Sequence, residues 1–203
     1  MIRYPNGKPF RKAETTAPAA QKMSYGNRGQ SLEDDLNETN RYYLAHDIAI
    51  IHKKPVPVQI VKVDYPARSA AVIREAYFRT PSTTDYNGVW QGKAIDFEAK
   101  ETKNKTSFPL SNIHEHQMQH MAAVARHGGI VFFIIRFSIL ARTYFMPYEA
   151  VVPYWEAMQK GGRKSIPLRQ FETSGTLLPA GYMPRIDYVA CLRSLESEET
   201  RHD

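Results

Sequence analysis

The sequence predicts a mixed α/β domain, a central mixed β-sheet flanked by helices, and three observations carry that reading. Ile130–Ser138 is a continuous apolar run, the pattern of a strand buried on both faces. Two stretches, opening at Ser31 and near Asn112, join a capping signal to an apolar period of a helix. A glycine-containing pair, Gln91–Gly92, separates two β-type runs and reads as a hairpin.

Taken in order, residues 1–30 are rich in Pro, Gly, Ser, Thr, Asn and Lys without an apolar period, and read as a flexible basic N-terminal arm. Residues 31–203 read as one domain. Ser31 with Asp34 makes a capping-box-like start, and Leu32, Leu36, Tyr43 and Leu44 carry a helical stripe to about residue 45. Ile48–His52 is a short β-type run. Pro55–Arg79 alternates strand formers with Pro55, Pro57 and Pro66, which are unwelcome in a central strand, so it is expected as an extended, projecting insertion. Residues 82–102 form the expected hairpin. Asn112 with Glu115 is the expected cap of a helix carrying Ile113, Met118, Met121, Ala122 and Ala125, which Gly128–Gly129 ends. Leu140–Met146 reads as a strand, Glu149–Gln159 as a helix with Pro153 near its start, and Ile166–Thr173 and Ile186–Leu195 as short helices.

Hydrophobic residues are 42% and charged residues 24% of 203, an ordinary globular composition that excludes a disordered or fibrous chain. The longest apolar run, Ile130–Ile135, is far short of the ~20 residues of a spanning helix. No apolar stretch follows Arg3 and Lys8, so no secretory signal is expected, and the single Cys191 forms no internal disulfide; both point to the cytoplasm. The net charge of +6 is unevenly spread. Residues 1–28 hold six basic side chains against Glu14, and residues 52–79 hold Lys53, Lys54, Lys62, Arg68, Arg74 and Arg79 against Asp64 and Glu75. Two basic blocks suit a polyanion such as nucleic acid, with solvated surface charge as the alternative. The candidate DNA-binding residues are Arg28, Lys53, Lys54, Lys62, Arg68 and Arg74.

The chemistry lies in Ser82–Lys100. With the turn at Gln91–Gly92, Trp90 faces Lys93, Asn87 faces Asp96, Asp85 faces Glu98 and Thr83 faces Lys100. Tyr86, Ile95, Phe97 and Ala99 then share an apolar face, and Thr83, Asp85, Asn87, Asp96, Glu98 and Lys100 the other. Like charges directly opposed repel. A bound divalent cation would remove that repulsion, and carboxylate and hydroxyl oxygens suit Mg²⁺ or Mn²⁺. Lys100 points to the same place, where an ammonium can orient a water or stabilise charge building on a phosphate. A solvent-facing polar hairpin would carry the same residues without a metal.

Asp85, twelve residues, then Glu98-Ala99-Lys100 is similar to the PD-(D/E)xK nuclease pattern, with Thr84 where the pattern has proline. The wider text is more specific: Tyr25-Gly-Asn-Arg-Gly, Leu32-Glu-Asp-Asp-Leu-Asn, Lys53-Lys-Pro-Val-Pro-Val-Gln-Ile-Val, Asp64-Tyr-Pro-Ala-Arg, Pro81-Ser-Thr-Thr-Asp-Tyr-Asn-Gly, Asp96-Phe-Glu-Ala-Lys-Glu-Thr and Pro184-Arg-Ile-Asp-Tyr resemble the RecU family of Holliday junction resolvases, from the first residues to about residue 190. The resemblance implies a restriction-endonuclease-like fold with a projecting stalk, matching the insertion at 55–79. It implies a homodimer that cuts opposed strands of a four-way DNA junction with Mg²⁺, in recombination and repair. It implies Thr83, Asp85, Glu98 and Gln117 as metal ligands and Lys100 as the supporting cation, and offers the recombinase RecA as a candidate partner. Gln117 enters through the resemblance alone.

Other signals weigh little. His114-Glu115-His116 lacks the second histidine of H-E-x-x-H, because Met118 stands there. His116 and His120 have no visible third ligand, and Lys160-Gly-Gly-Arg-Lys-Ser lacks the first glycine of a P-loop. Glu33 reads as a solvated helix face, with the metal as the alternative. Two further readings stay open: a non-catalytic architectural DNA binder and a restriction-like duplex endonuclease. A pure binder has no use for carboxylates that repel phosphate, and the stalk-like insertion favours junctions over duplex.

Overall fold

A computed structural model describes residues 31–65, 70–79 and 81–199. The arm at 1–30, and with it Arg28, lies outside these residues, as does Arg68.

The elements in chain order are α1 (Leu32–Ala45), β1 (Ile50–Lys53), β2 (Val58–Asp64), β3 (Val72–Phe78), β4 (Tyr86–Trp90), β5 (Lys93–Thr102), β6 (Ser107–Pro109), α2 (Glu115–Arg126), β7 (Ile130–Phe137), β8 (Arg142–Pro147), α3 (Tyr148–Gln159), β9 (Ser165–Pro167), α4 (Leu168–Ser174), β10 (Thr176–Leu178) and α5 (Tyr188–Glu199). Six strands form the main sheet in the order β1-β4-β5-β7-β8-β10. Only the β5/β7 pair is parallel; its neighbours run antiparallel, so the sheet is mixed as expected.

Alternation along β7 divides the core. Phe132 and Ile134 join Leu32, Leu36, Tyr43, Phe97, Phe145, Tyr188 and Leu192 on the face covered by α1 and α5. Val131, Phe133, Ile135 and Phe137 join Met118, Met121, Val151 and Phe171 on the face covered by α2, α3 and α4. On the first face the rings of Tyr86, Phe97, Phe132 and Phe145 stack across β4, β5, β7 and β8, with successive centroids 4.7, 4.8 and 4.6 Å apart. Each such pair adds roughly 0.5–1.5 kcal/mol beyond area burial.

Ser31 caps α1 with Asp34 in the expected capping box. Leu44, placed on the buried stripe by periodicity, is instead half exposed. The same helix is stitched to the segment before α5. Arg185 Nε donates to Glu38 Oε2 at 2.7 Å, the Ile186 amide to Thr39 Oγ1 at 3.0 Å, and the Tyr43 hydroxyl to Asp187 Oδ1 at 2.8 Å. The hairpin turn is where sequence placed it: Gln91 and Gly92 both take positive φ, 49° and 78°, the left-handed pair that a two-residue turn requires. Gly88 admits no side chain, since a Cβ there would stand 2.0 Å from the Ile50 carbonyl oxygen of β1.

Several boundaries differ from expectation. β1 lies two residues later than Ile48. Asn112 falls in a 3₁₀ turn, Leu110–Asn112, and His114 is the N-cap of α2. The stretch expected as one helix at Ile166–Thr173 splits into β9 and α4. The insertion holds two real strands, but β2 and β3 pair with each other and not with the main sheet. Every residue of β3 is exposed, as is most of β2. The Arg79 amide donates to the Pro57 carbonyl at 3.0 Å and closes the base of this ribbon.

Candidate active site

Asn87↔Asp96 and Trp90↔Lys93 pair as the turn placement requires, but the β4/β5 ladder begins at Tyr86↔Phe97. Asp85 therefore does not face Glu98 across a ladder, and Thr83 does not face Lys100: both precede β4 in an irregular segment. Asp85 meets Glu98 differently. Its backbone amide donates to Glu98 Oε2 at 3.0 Å, while its own carbonyl accepts from the Lys54 amide at 2.7 Å. Asp85 is thus held from both sides, by β1 and by β5.

Glu98 is wholly buried, an unusual place for a carboxylate. Lys100 Nζ lies 2.8 Å from its Oε1, an ion-pair contact without hydrogen-bond geometry, so Oε1 is left with no hydrogen-bond partner among the described residues. Burial pushes the Glu98 carboxyl up to about 7, against the pull of the Lys100 ammonium and with a further push from Asp85. A buried oxygen with one cation beside it and a second lone pair unused suits a divalent cation, which would take the place of the missing partner.

Gln117 is buried at the third position of α2, and its Oε1 accepts from the His114 amide at 2.9 Å. A carbonyl oxygen keeps a second lone pair after one bond, so this contact leaves room for a metal ligand. One turn on, His120 lies 3.1 Å through Nε2 from Asp96 Oδ2, which sets this helix against β5, the strand that carries Glu98. The His116 and His120 pair does not converge on a common centre: His120 meets Asp96, whereas His116 lies beside His114 and Lys100, whose charges, after burial, hold its imidazole below the usual value. Thr83 is half-buried, and its hydroxyl donates to the Thr84 carbonyl at 3.3 Å.

Two basic residues expected at DNA are engaged within the protein. Lys54 Nζ is 2.9 Å from Asp96 Oδ2, with its side chain about four-fifths buried, and Lys53 pairs with Glu33. Glu33, left open between metal and solvent, is thus tied to Lys53 beside Asp85, around a cavity of about 240 Å³ that both line with Tyr86 and Glu101. Lys62 and Arg74 stand on the ribbon and are exposed, Arg74 paired with Asp64 at 2.7 Å.

The fold brings together Asp85, Glu98 and Lys100, the residues on which the resemblance to the PD-(D/E)xK pattern rests. The family described as RecU, recombination protein U, matches residues 27–194. The Holliday junction resolvase RecU of Bacillus cytotoxicus is 59% identical over 192 residues, 94% of this chain and 96% of that protein. The Listeria monocytogenes serotype 4a protein of the same name is 56% identical over 197 residues, 96% of this chain and 98% of that one. The chain belongs to the RecU family. A solved structure of Archaeoglobus fulgidus Hjc, a Holliday junction resolvase, matches at 10% identity over 68% of this chain and 92% of that one with a TM-score of 0.37, a similarity too low to bear on the fold described above.

Proposed function

We propose that the protein is a metal-dependent, structure-specific endonuclease that resolves four-way DNA junctions by paired phosphodiester hydrolysis. Glu98 carries the reading: a fully buried carboxylate with one oxygen bonded to the Asp85 amide and the other beside Lys100 without a hydrogen-bond partner. Such a group is costly in a merely structural role and is well placed as a ligand. The names of the relatives supply the junction.

On this reading Asp85 and Glu98, with the Thr83 hydroxyl and the Gln117 carbonyl, hold Mg²⁺, with Mn²⁺ as a substitute. Bound there, the cation lowers the pKa of a water and screens the phosphate. Lys100 donates to the attacking water or to the phosphate oxygen on which charge builds. Water oxygen bonds to phosphorus, one ester oxygen leaves with a proton, and the strand is cut. Two opposed cuts call for two such sites, hence a homodimer. The ribbon is the stalk; its Lys62 and Arg74, with Arg68 and Arg28, contact phosphates. RecA is a candidate partner by the family resemblance.

The test is parallel cleavage of four-way, Y-shaped and linear DNA with Mg²⁺ or EDTA. Junction-selective, EDTA-sensitive nicking on opposed strands is expected. Equal cutting of linear duplex would favour a restriction-like enzyme, and tight binding without cutting an architectural protein.

A further inference from the structure

Asp96 stands two residues before Glu98 on the same face of β5, and its surroundings are the opposite of that residue's. Both of its oxygens are used. The Thr84 hydroxyl donates to Oδ1, and Lys54 Nζ and His120 Nε2 meet Oδ2 at 2.9 and 3.1 Å. Lys54 Nζ also donates to Thr84 Oγ1 at 3.1 Å, so the four side chains form a closed network. Asp96 and Thr84 are buried, and both oxygens of Asp96 carry partners within the protein.

The network joins the segments that bring the ligands. Thr84 lies between Thr83 and Asp85, in the irregular stretch that no ladder bond fixes. Lys54 follows β1, whose continuation holds the Asp85 carbonyl. His120 follows Gln117 by one turn of α2. One carboxylate thus locates the loop bearing Thr83 and Asp85, and the helix bearing Gln117, against the strand bearing Glu98. The nuclease pattern has a proline where Thr84 stands. Proline stiffens a segment through its own ring; here the stiffness comes from a side chain anchored on β5.

We propose that Thr84 and Asp96, supported by Lys54 and His120, are positioning residues: the buried Thr84–Asp96 hydrogen bond sets where Thr83 and Asp85 stand relative to Glu98, and so sets cation affinity. This rests on the nuclease reading above.

The experiment is Mn²⁺ titration by calorimetry on the DNA-free protein, with T84V, T84S, D96N and, as control, D85N. Losing a residue that orients a ligand typically costs about 10–100-fold in metal affinity, so T84V is expected to bind Mn²⁺ that much more weakly, with its metal-free melting temperature little changed. T84S keeps the hydroxyl and is expected within about threefold of the parent. Amide exchange at Asp85, measured without metal, is expected to quicken in T84V and not in T84S. A folded T84V with parental Mn²⁺ affinity overturns the inference, as does a T84S as weak as T84V. Should T84V fail to fold, D96N replaces it: an amide has one acceptor oxygen and cannot accept from Thr84 on one side and from Lys54 and His120 on the other, and parental affinity there overturns the inference equally. D85N binding Mn²⁺ as the parent does would overturn the site reading itself, and this inference with it. Weakened D85N beside an unaffected T84V overturns the inference alone.

Discussion

Burial brings the Glu98 carboxyl close to neutral pH, against the pull of the Lys100 ammonium. Its carboxyl is raised from 4.5 to about 7, chiefly by burial. A carboxyl raised on folding binds more protons in the folded state than in the unfolded one. Its contribution to stability is therefore full below the unfolded value and is lost as pH rises through about 7. The loss is on the order of 3 kcal/mol at most. In the metal-free protein, melting temperature is expected to fall between about pH 5 and pH 8, and E98Q to flatten that slope. Because ligation needs the ionised carboxylate, added Mg²⁺ should raise the melting temperature more at the alkaline end. A slope identical in parent and E98Q would mean that another group titrates. D85N and E98Q are each expected to abolish cutting while junction binding survives, and K100M to cut roughly 10²–10³-fold more slowly with metal binding intact, as single-turnover rates at saturating metal would show. Glu98 and Lys100 were legible as neighbours because a strand's alternation puts residues two apart on one face. Thr84 and Asp96 were not legible as a pair: parity placed Asp96 beside Glu98 but carried no sign that its oxygens were already satisfied. Nor could parity tell where pairing stops, which is why Asp85 was expected inside the ladder and stands one residue outside it.

At the scale of elements, the ribbon of β2 and β3 is the one piece whose removal should leave the rest intact. It pairs only with itself, and its base is closed by the Arg79–Pro57 bond. Its two ends return to neighbouring points, since Lys54 is bonded to Asp85. Replacing residues 58–78 by a short Gly-Ser linker is expected to keep the circular dichroism spectrum and the Mn²⁺ affinity. Junction affinity and cutting should fall sharply, while weak duplex binding persists and declines steeply with salt. A folded deletion variant that prefers junctions as strongly as the parent would show that the ribbon does not select them. The prolines announced a departure from the main sheet, but two strands bonded only to each other follow from no local pattern. The short strands β6, β9 and β10 were missed for a simpler reason: three residues are too few to show a period. The start of α2 was misplaced because Ile113, buried in the core, fits a helical stripe as well as it fits the turn it occupies.

For the whole molecule, composition and periodicity were enough to define a mixed sheet between helical layers, since the apolar run of β7 could only be its centre. They could not show that one layer is assembled from the two far ends of the described chain. Tyr188 of α5 packs its ring 5.2 Å from Phe97 and 5.8 Å from Phe132, and the α1 contacts of Ile186 bridge 147 residues. Ending the chain after Pro184 removes Arg185, Ile186 and Asp187, which bond to Glu38, Thr39 and Tyr43, and removes the α5 cover of the stacked rings of β4, β5, β7 and β8. Such a variant is expected to lose its cooperative thermal transition and to bind ANS; a sharp transition near the parental temperature would show that α1 alone seals that face.

This closure bears on the order in which a chain under synthesis can complete its core. Phe97 and Glu98 are neighbours on β5, one packed beneath α5 and the other at the proposed cutting site. While a ribosome is still threading out the middle of the chain, α1 alone covers the apolar side of β5. The strand that bears Glu98 and Lys100 is then covered on that side by one helix instead of two. The apolar face of the sheet is complete once α5 has been made and Tyr188 has reached Phe97 and Phe132.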